Sequence, residues 1–150
     1  MTISFHSEDL DFQLPNEAAT TTWLKGVMRK EGWPLGELSY IFCTDAYLYA
    51  MNVQHLNHDT YTDVITFQYS EEVVEGDIFI SVERTQENAQ TYGVTPEREL
   101  QRVMVHGLLH LMGYKDKSPA DQAVMTAKEN EHLQTAPNSW ILMTLATSPS

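Results

Sequence analysis

Hydrophobic and polar positions change period several times along this chain, and each change marks an element. Ile3 to His6 (ISFH) carries the pattern of a short edge strand, and Asp9 to Leu14 is a polar connection. From Pro15 and Asn16 to about Glu31, the residues Ala18, Ala19, Trp23, Leu24, Val27 and Met28 fall close to helical spacing. Gly32, Pro34 and Gly36 are read as the break after it. Leu38 to Cys43 (LSYIFC) is rich in β-branched and aromatic residues and predicts a strand. Thr44 or Asp45 can cap the next helix, AYLYAMNVQHL, whose tyrosines, Leu48, Met51 and Leu56 form a core-packed stripe. Asn57 to Thr62 is turn-prone. Asp63 to Tyr69 and Gly76 to Val82 read as two strands joined by an acidic hairpin loop, Ser70 to Glu75. Glu83 or Arg84 opens a helix that Gly93 ends after Tyr92. Thr95 and Pro96 are the N-cap and first turn of a helix running to Met112. Its C-terminal half, from Val103, is apolar apart from two histidines, the pattern of a helix buried on most sides. Ser118 and Pro119 begin a last helix to about Gln134, and the tail from Thr135 is read as less ordered.

The order β-α-β-α-β-β-α-α-α predicts an α+β fold: a small mixed β-sheet covered by helices, with a buried helix carrying the histidines. A chain of 150 residues fits a single domain, 1–150, with no internal repeat or linker. Its 42% apolar content excludes a disordered chain. Cys43 is the only cysteine, so no disulfide can form within the chain, which is compatible with a reducing compartment. With no charged-then-apolar leader and no membrane-length apolar run, the expected location is cytoplasmic, without a membrane partner. The net charge of −12 disfavours strong non-specific binding to bare nucleic acid, although a local basic cluster can act against a global sum.

Candidate chemistry concentrates between Pro96 and Asp116. His106 and His110 lie one helical turn apart and project from the same face. Two unpaired imidazoles on an otherwise apolar helix would be costly, so they call for a partner. Gly113 is placed where a left-handed cap can end the helix, and Asp116 lies far enough beyond it for the chain to fold back. Two imidazoles and one carboxylate, with a fourth position open, form the ligand set of a catalytic zinc site. The spacing matches the long zinc-protease signature H-E-x-x-H-x-x-G-x-x-H at His106, His110, Gly113 and Asp116. Gly107 stands where that signature has its general-base glutamate, which disfavours peptide hydrolysis by that mechanism.

At these residues the chain resembles the YbeY family of bacterial endoribonucleases and rRNA maturation factors. HGLLHLMGYKD is similar to the family signature H-G-x-L-H-L-x-G-Y-D-H. Leu56-Asn57 followed by TDVITF (Thr62 to Phe67) resembles L-N…T-D-V-L-S-F, and GDIFIS (Gly76 to Ser81) resembles G-D-I-x-I-S. The blocks keep their order and separation over roughly residues 38 to 133. The resemblance implies a compact α+β fold, one zinc ion or another divalent metal, and endoribonuclease activity in rRNA maturation. The 3′ end of the small-subunit rRNA is the expected substrate. rRNA and the small ribosomal subunit are the expected partners, with ribosome-associated proteins as further candidates.

The chain departs from the family pattern in two places. Asp116 occupies the position of a third histidine, with Lys115 in what is commonly Tyr-Asp-His. A carboxylate can still ligate, and it shifts selectivity towards harder metals. The loop after Leu56-Asn57 reads HDTYT and lacks the family's arginine; His58 is its nearest basic group. Arg84, Arg98, Arg102, Lys115 and Lys117 are the candidate phosphate contacts. For Arg98 and Arg102 a solvated helix face is the slightly better account. Asp63 and Asp77, read as beginning their strands, are candidates for hydrogen bonds behind the ligands, or simply strand-end turn residues. His6, His55, His58 and His132 are read as ordinary. The competing functions are a non-catalytic ribosome-assembly factor with a structural metal and a metal hydrolase for a non-nucleic substrate.

Overall fold

The computed structural model describes residues 2–56 and 62–138. The elements run β1 (Thr2–Ser7), α1 (Glu17–Glu31), β2 (Leu35–Cys43), α2 (Asp45–Leu56), β3 (Val64–Gln68), β4 (Val74–Ser81), α3 (Val82–Tyr92), α4 (Pro96–Leu111) and α5 (Pro119–Leu133). This is the expected order, and the sheet is mixed. Its strand order is β1-β2-β4-β3, with β1 parallel to β2, β2 parallel to β4, and β3 antiparallel to β4. The expected edge strand is β1, and the β3–β4 hairpin forms as read.

Side chains that alternate along the strands divide the core between the two sheet faces. Leu38, Tyr40 and Phe42 of β2 join Ile78 and Ile80 of β4 under Trp23, Leu24, Val27 and Met28 of α1 and the apolar side of α4. The intervening residues, Cys43, Ile65, Phe67 and Phe79, pack with Leu48 on the α2 side. The sheet is thus covered on both faces, and α4 lies within the larger cluster.

Local chemistry sets the helix ends. Asn16 Oδ1 accepts from Ala19 N at 3.0 Å, Thr95 caps α4 through Arg98 N, and Ser118 caps α5 through Asp121 N. The α3 cap is Ser81, whose hydroxyl accepts from Arg84 N at 3.1 Å, so that helix starts slightly before the expected Glu83. Gly36 is not part of the break after α1 but lies inside β2. A Cβ there would come within 2.8 Å of Glu75 Oε1 and 3.2 Å of the Val74 carbonyl, so close strand approach is what this glycine serves. Beyond α5, Ala136 is buried and the carbonyl of Pro137 accepts from Gln101 Nε2 at 3.0 Å. The rest of the tail, from residue 139, lies outside the described residues.

Gly107 sits where α4 crosses the sheet most closely. A Cβ on it would come within 2.8 Å of Ile78 Cγ2. Where the protease signature has a glutamate, this position faces the sheet, and a large side chain would push the helix away. The neighbouring His106 is thereby held at a fixed height above β4.

Candidate metal centre

Ten residues of α4 are buried, including Leu100, Val103, Met104, Val105, Leu108, Leu109 and Leu111. The stripe left half-exposed is Arg102, His106 and His110, each one turn from the next. Met112 ends the helix and Gly113 takes φ +94°, a left-handed conformation. Gly113 N donates to the His110 carbonyl at 3.0 Å and Tyr114 N to the Leu109 carbonyl at 3.1 Å, a double-bonded Schellman closure. This reversal carries Asp116 back over the exposed stripe. It also brings the Tyr114 carbonyl within 3.0 Å of His110 Nδ1.

Those contacts fix the ring tautomers. A carbonyl can only accept, so His110 Nδ1 carries the proton and Nε2 carries the lone pair. His106 Nδ1 is 2.5 Å from Glu129 Oε2, which likewise assigns its proton to Nδ1 when the ring is neutral. The two Nε2 atoms then face each other at 3.0 Å, and Asp116 Oδ2 lies 3.4 Å from the first and 3.3 Å from the second. A tetrahedral ion with ligand bonds of roughly 2.0–2.2 Å separates its ligand atoms by about 3.3–3.6 Å. The triangle of donors fits such an ion, and the donor set is chemically suited to zinc. Asp116 is the most exposed of the three at 43% of its side chain, against 22% and 26% for the histidines, so the cluster opens to solvent on its side.

The electrostatics favour a positive charge between these donors. Burial opposes the His106 imidazolium, yet the Glu129 hydrogen bond and the charges of Glu129, Asp63 and Asp116 together raise its pKa. Burial and the charge of His106 lower that of His110. The two rings therefore hold one proton more readily than two, and a metal ion supplies the same positive charge without it.

Glu129 was not legible as a site residue. It is buried on α5, takes His106 Nδ1 on one oxygen and accepts from Arg102 Nη1 at 2.9 Å on the other. This carboxylate–histidine arrangement holds a ligand ring in place and raises its basicity. Glu99 was missed as well. It lies on the same face of α4, is only 4% exposed, and its carboxyl is raised to about 7, chiefly by burial. A cleft of about 690 Å³ runs beside the cluster, lined by Asp63, Glu99, Arg102, His106, Asp116 and Glu129 among others.

The remaining candidates separate clearly. Arg102 lines the cleft, paired with Glu129 and with Asn130 Oδ1 at 2.8 Å. Lys115 and Lys117 are exposed on either side of Asp116. Arg84 is bound to Asp45 at 2.6 Å and to Glu87 at 3.1 Å. Arg98 donates to Gln101 Oε1, the Leu133 carbonyl and Asn138 Oδ1, so it fastens α4 to the end of α5 and the chain beyond. Asp63 lies just before β3 and lines the cleft, with Oδ2 accepting from Asn88 Nδ2 at 3.3 Å. Asp77 requires a correction. It is inside β4 rather than at its start, next to Ile78, which packs under Gly107. Strand alternation turns Asp77 to the opposite sheet face, where it accepts from the Tyr69 hydroxyl at 2.8 Å, so it cannot support the ligands.

A family model described as "Endoribonuclease YbeY" matches residues 2–137. The chain belongs to the YbeY family. Curated relatives with that same description include one from Flavobacterium psychrophilum, 50% identical over 133 residues that cover 88% of this chain and 94% of the relative. Another, from Cytophaga hutchinsonii, is 50% identical over 134 residues, again covering 88% and 94%. A solution structure of a Thermotoga maritima protein superposes with a TM-score of 0.68 at 27% identity, covering 98% of this chain and 95% of that one. Membership accounts for the fold and the histidine helix. The arginine that the family pattern places after Leu56-Asn57, and this chain's His58, fall at residues 57–61, outside those described.

His132 is buried and bonded to Glu31 at 2.7 Å, and His6 and His55 contact Ser4 and Phe67. Glu31, Glu131 and His132 also bring ligand-type atoms within 4.8 Å of one another. There Lys128 Nζ already stands 3.2 Å from Glu31 Oε2 and fills the cationic role.

Proposed function

We propose that this chain is a metal-dependent endoribonuclease that hydrolyses single-stranded RNA in maturation of the 3′ end of small-subunit rRNA. In this reading His106, His110 and Asp116 hold one zinc ion, the small ribosomal subunit is the working context, and the protein acts in the cytoplasm as a single domain. The observation that carries it is the convergence of two Nε2 atoms and Asp116 Oδ2 at 3.0–3.4 Å beside an open cleft, in a chain of this family. When bound, the ion supplies Lewis-acid polarisation of a phosphodiester oxygen and activation of water.

The protein's own residues do the rest. Glu129 and the Tyr114 carbonyl keep both Nδ1 protons in place, so both Nε2 lone pairs point at one spot. Arg102, whose guanidinium also holds Glu129, presents positive charge to the cleft, and Lys115 and Lys117 present theirs at its mouth. Structural zinc sites are closed by four protein ligands, whereas three protein donors converge here among the described residues, which favours a catalytic over a structural metal.

The test is metal analysis and cleavage of a single-stranded RNA by wild type and His110→Ala. The expected result is one zinc per chain and cleavage, both lost in the variant. Stoichiometric zinc that survives the substitution would refute the ligand set. A zinc-loaded wild type that leaves RNA intact with every divalent metal tried would refute the nuclease reading.

A further inference from the structure

The cleft beside the histidine cluster has the wrong charge for an anionic substrate. Asp63, Glu99, Asp116 and Glu129 line it, against the single guanidinium of Arg102. A dication at the histidines leaves this lining still net negative. Two of the carboxylates already have cationic partners or ligand roles: Glu129 serves His106 and Arg102, and Asp116 belongs to the donor triangle. Asp63 and Glu99 do not. Glu99 is 96% buried by its 4% exposure, lines the cleft, and makes no hydrogen bond or ion pair among the described residues. An unpartnered buried carboxyl costs a few kcal/mol, so it persists only where something else compensates it. Burial and the charge of Asp63 both push its pKa upward, which places the two carboxyls within electrostatic reach of each other.

We propose that Glu99 and Asp63 hold a second divalent cation in this cleft, of the hard, hydrated magnesium or manganese class. Such ions keep several water ligands and take one or two carboxylates, completing their shell with substrate phosphates. The absence of any nitrogen or sulfur donor beside Glu99 and Asp63 points away from a second zinc. Glu99 lies two helical turns before His106, roughly 10 Å along the axis at 1.5 Å per residue. That separation is far larger than the roughly 3.5–4 Å of a two-metal pair sharing one phosphate. The second ion therefore serves a phosphate further along a polyanionic chain, neutralising the cleft wall, and does not share the scissile group. This goes beyond the nuclease reading and is tested by binding alone.

Full-length protein carrying one equivalent of zinc is titrated with Mn²⁺, read by loss of the free-ion electron paramagnetic resonance signal, with Mg²⁺ as competitor. The expected result is one saturable Mn²⁺ class that Mg²⁺ displaces. Glu99→Gln and Asp63→Asn are each expected to weaken it at least about tenfold while zinc content stays unchanged. Glu99→Gln removes a charge from a dry position and should melt no lower than wild type. The proposal is overturned if wild type takes up no saturable Mn²⁺, or if uptake is unchanged in both variants. Loss of zinc together with Mn²⁺ uptake in either variant also overturns it, because both carboxyls would then belong to the histidine site.

Discussion

Replacing Glu129 with Gln tests how far the metal site depends on a residue that touches no metal. Glu129 is 7% exposed, lies 2.5 Å from His106 Nδ1 and accepts from Arg102 Nη1 at 2.9 Å. A glutamine fits the same space and can still accept the Nδ1 proton, so packing and tautomer survive. What is lost is the negative charge that raises His106 basicity and balances Arg102. Changes of this kind typically reduce metal affinity about 10–100-fold, or roughly 1.4–2.7 kcal/mol. The assay is zinc competition against a chromophoric chelator, paired with denaturant unfolding of the metal-free protein. Stability of the metal-free protein should also fall, by about 1–3 kcal/mol, since a buried guanidinium hydrogen bond loses its anion. Zinc affinity within about twofold of wild type would refute the claim that Glu129 tunes the ligand ring. A collapse of stability with unchanged affinity would reassign Glu129 to a purely structural role.

Further tests address the packing and the other titrating groups. Glu99 has a carboxyl raised from its ordinary 4.5 to about 7, so the folded state binds its proton more tightly than the unfolded chain does. That contribution is fully present below 4.5 and is lost as pH rises through about 7; it reaches at most about 3 kcal/mol. Denaturant unfolding of metal-free wild type and Glu99→Gln at several pH values should show the variant gaining on wild type across that window, and a constant difference would refute it. Gly107→Ala should cost about 1–3 kcal/mol by forcing α4 off Ile78, because its Cβ would meet Cγ2 at 2.8 Å, while Gly26→Ala in α1, with nothing within 4 Å, should stabilise by about 0.4–1 kcal/mol; thermal melts decide both. Tyr114→Phe removes the hydroxyl bond to Glu31 but leaves the backbone carbonyl on His110, so stability should drop by about 0.5–1.5 kcal/mol with zinc affinity unchanged in the same chelator assay.

The amino-acid sequence alone determined whatever depends on neighbours within a few residues. Helical and strand periods gave the element order, Asn16, Thr95 and Ser118 gave helix starts, and the spacing of His106, His110, Gly113 and Asp116 gave the donor triangle. One turn of helix and one glycine-mediated reversal are enough to bring those donors together. Tertiary structure decided what joins residues far apart in the chain. Glu129 reaches His106 from α5, Arg98 is taken up by the end of that helix, and Asp77 is turned to the far face by the position of β4 in the sheet. Gly36 and Gly107 read as a breaker and a missing base, yet both answer to a neighbouring chain a few ångströms away. Glu99 reads as an ordinary acid of a first helical turn, and only the packing of α4 buries it without a partner. Periodicity records which side of an element is apolar; it carries no information about which distant carboxylate, carbonyl or guanidinium will stand opposite the other side.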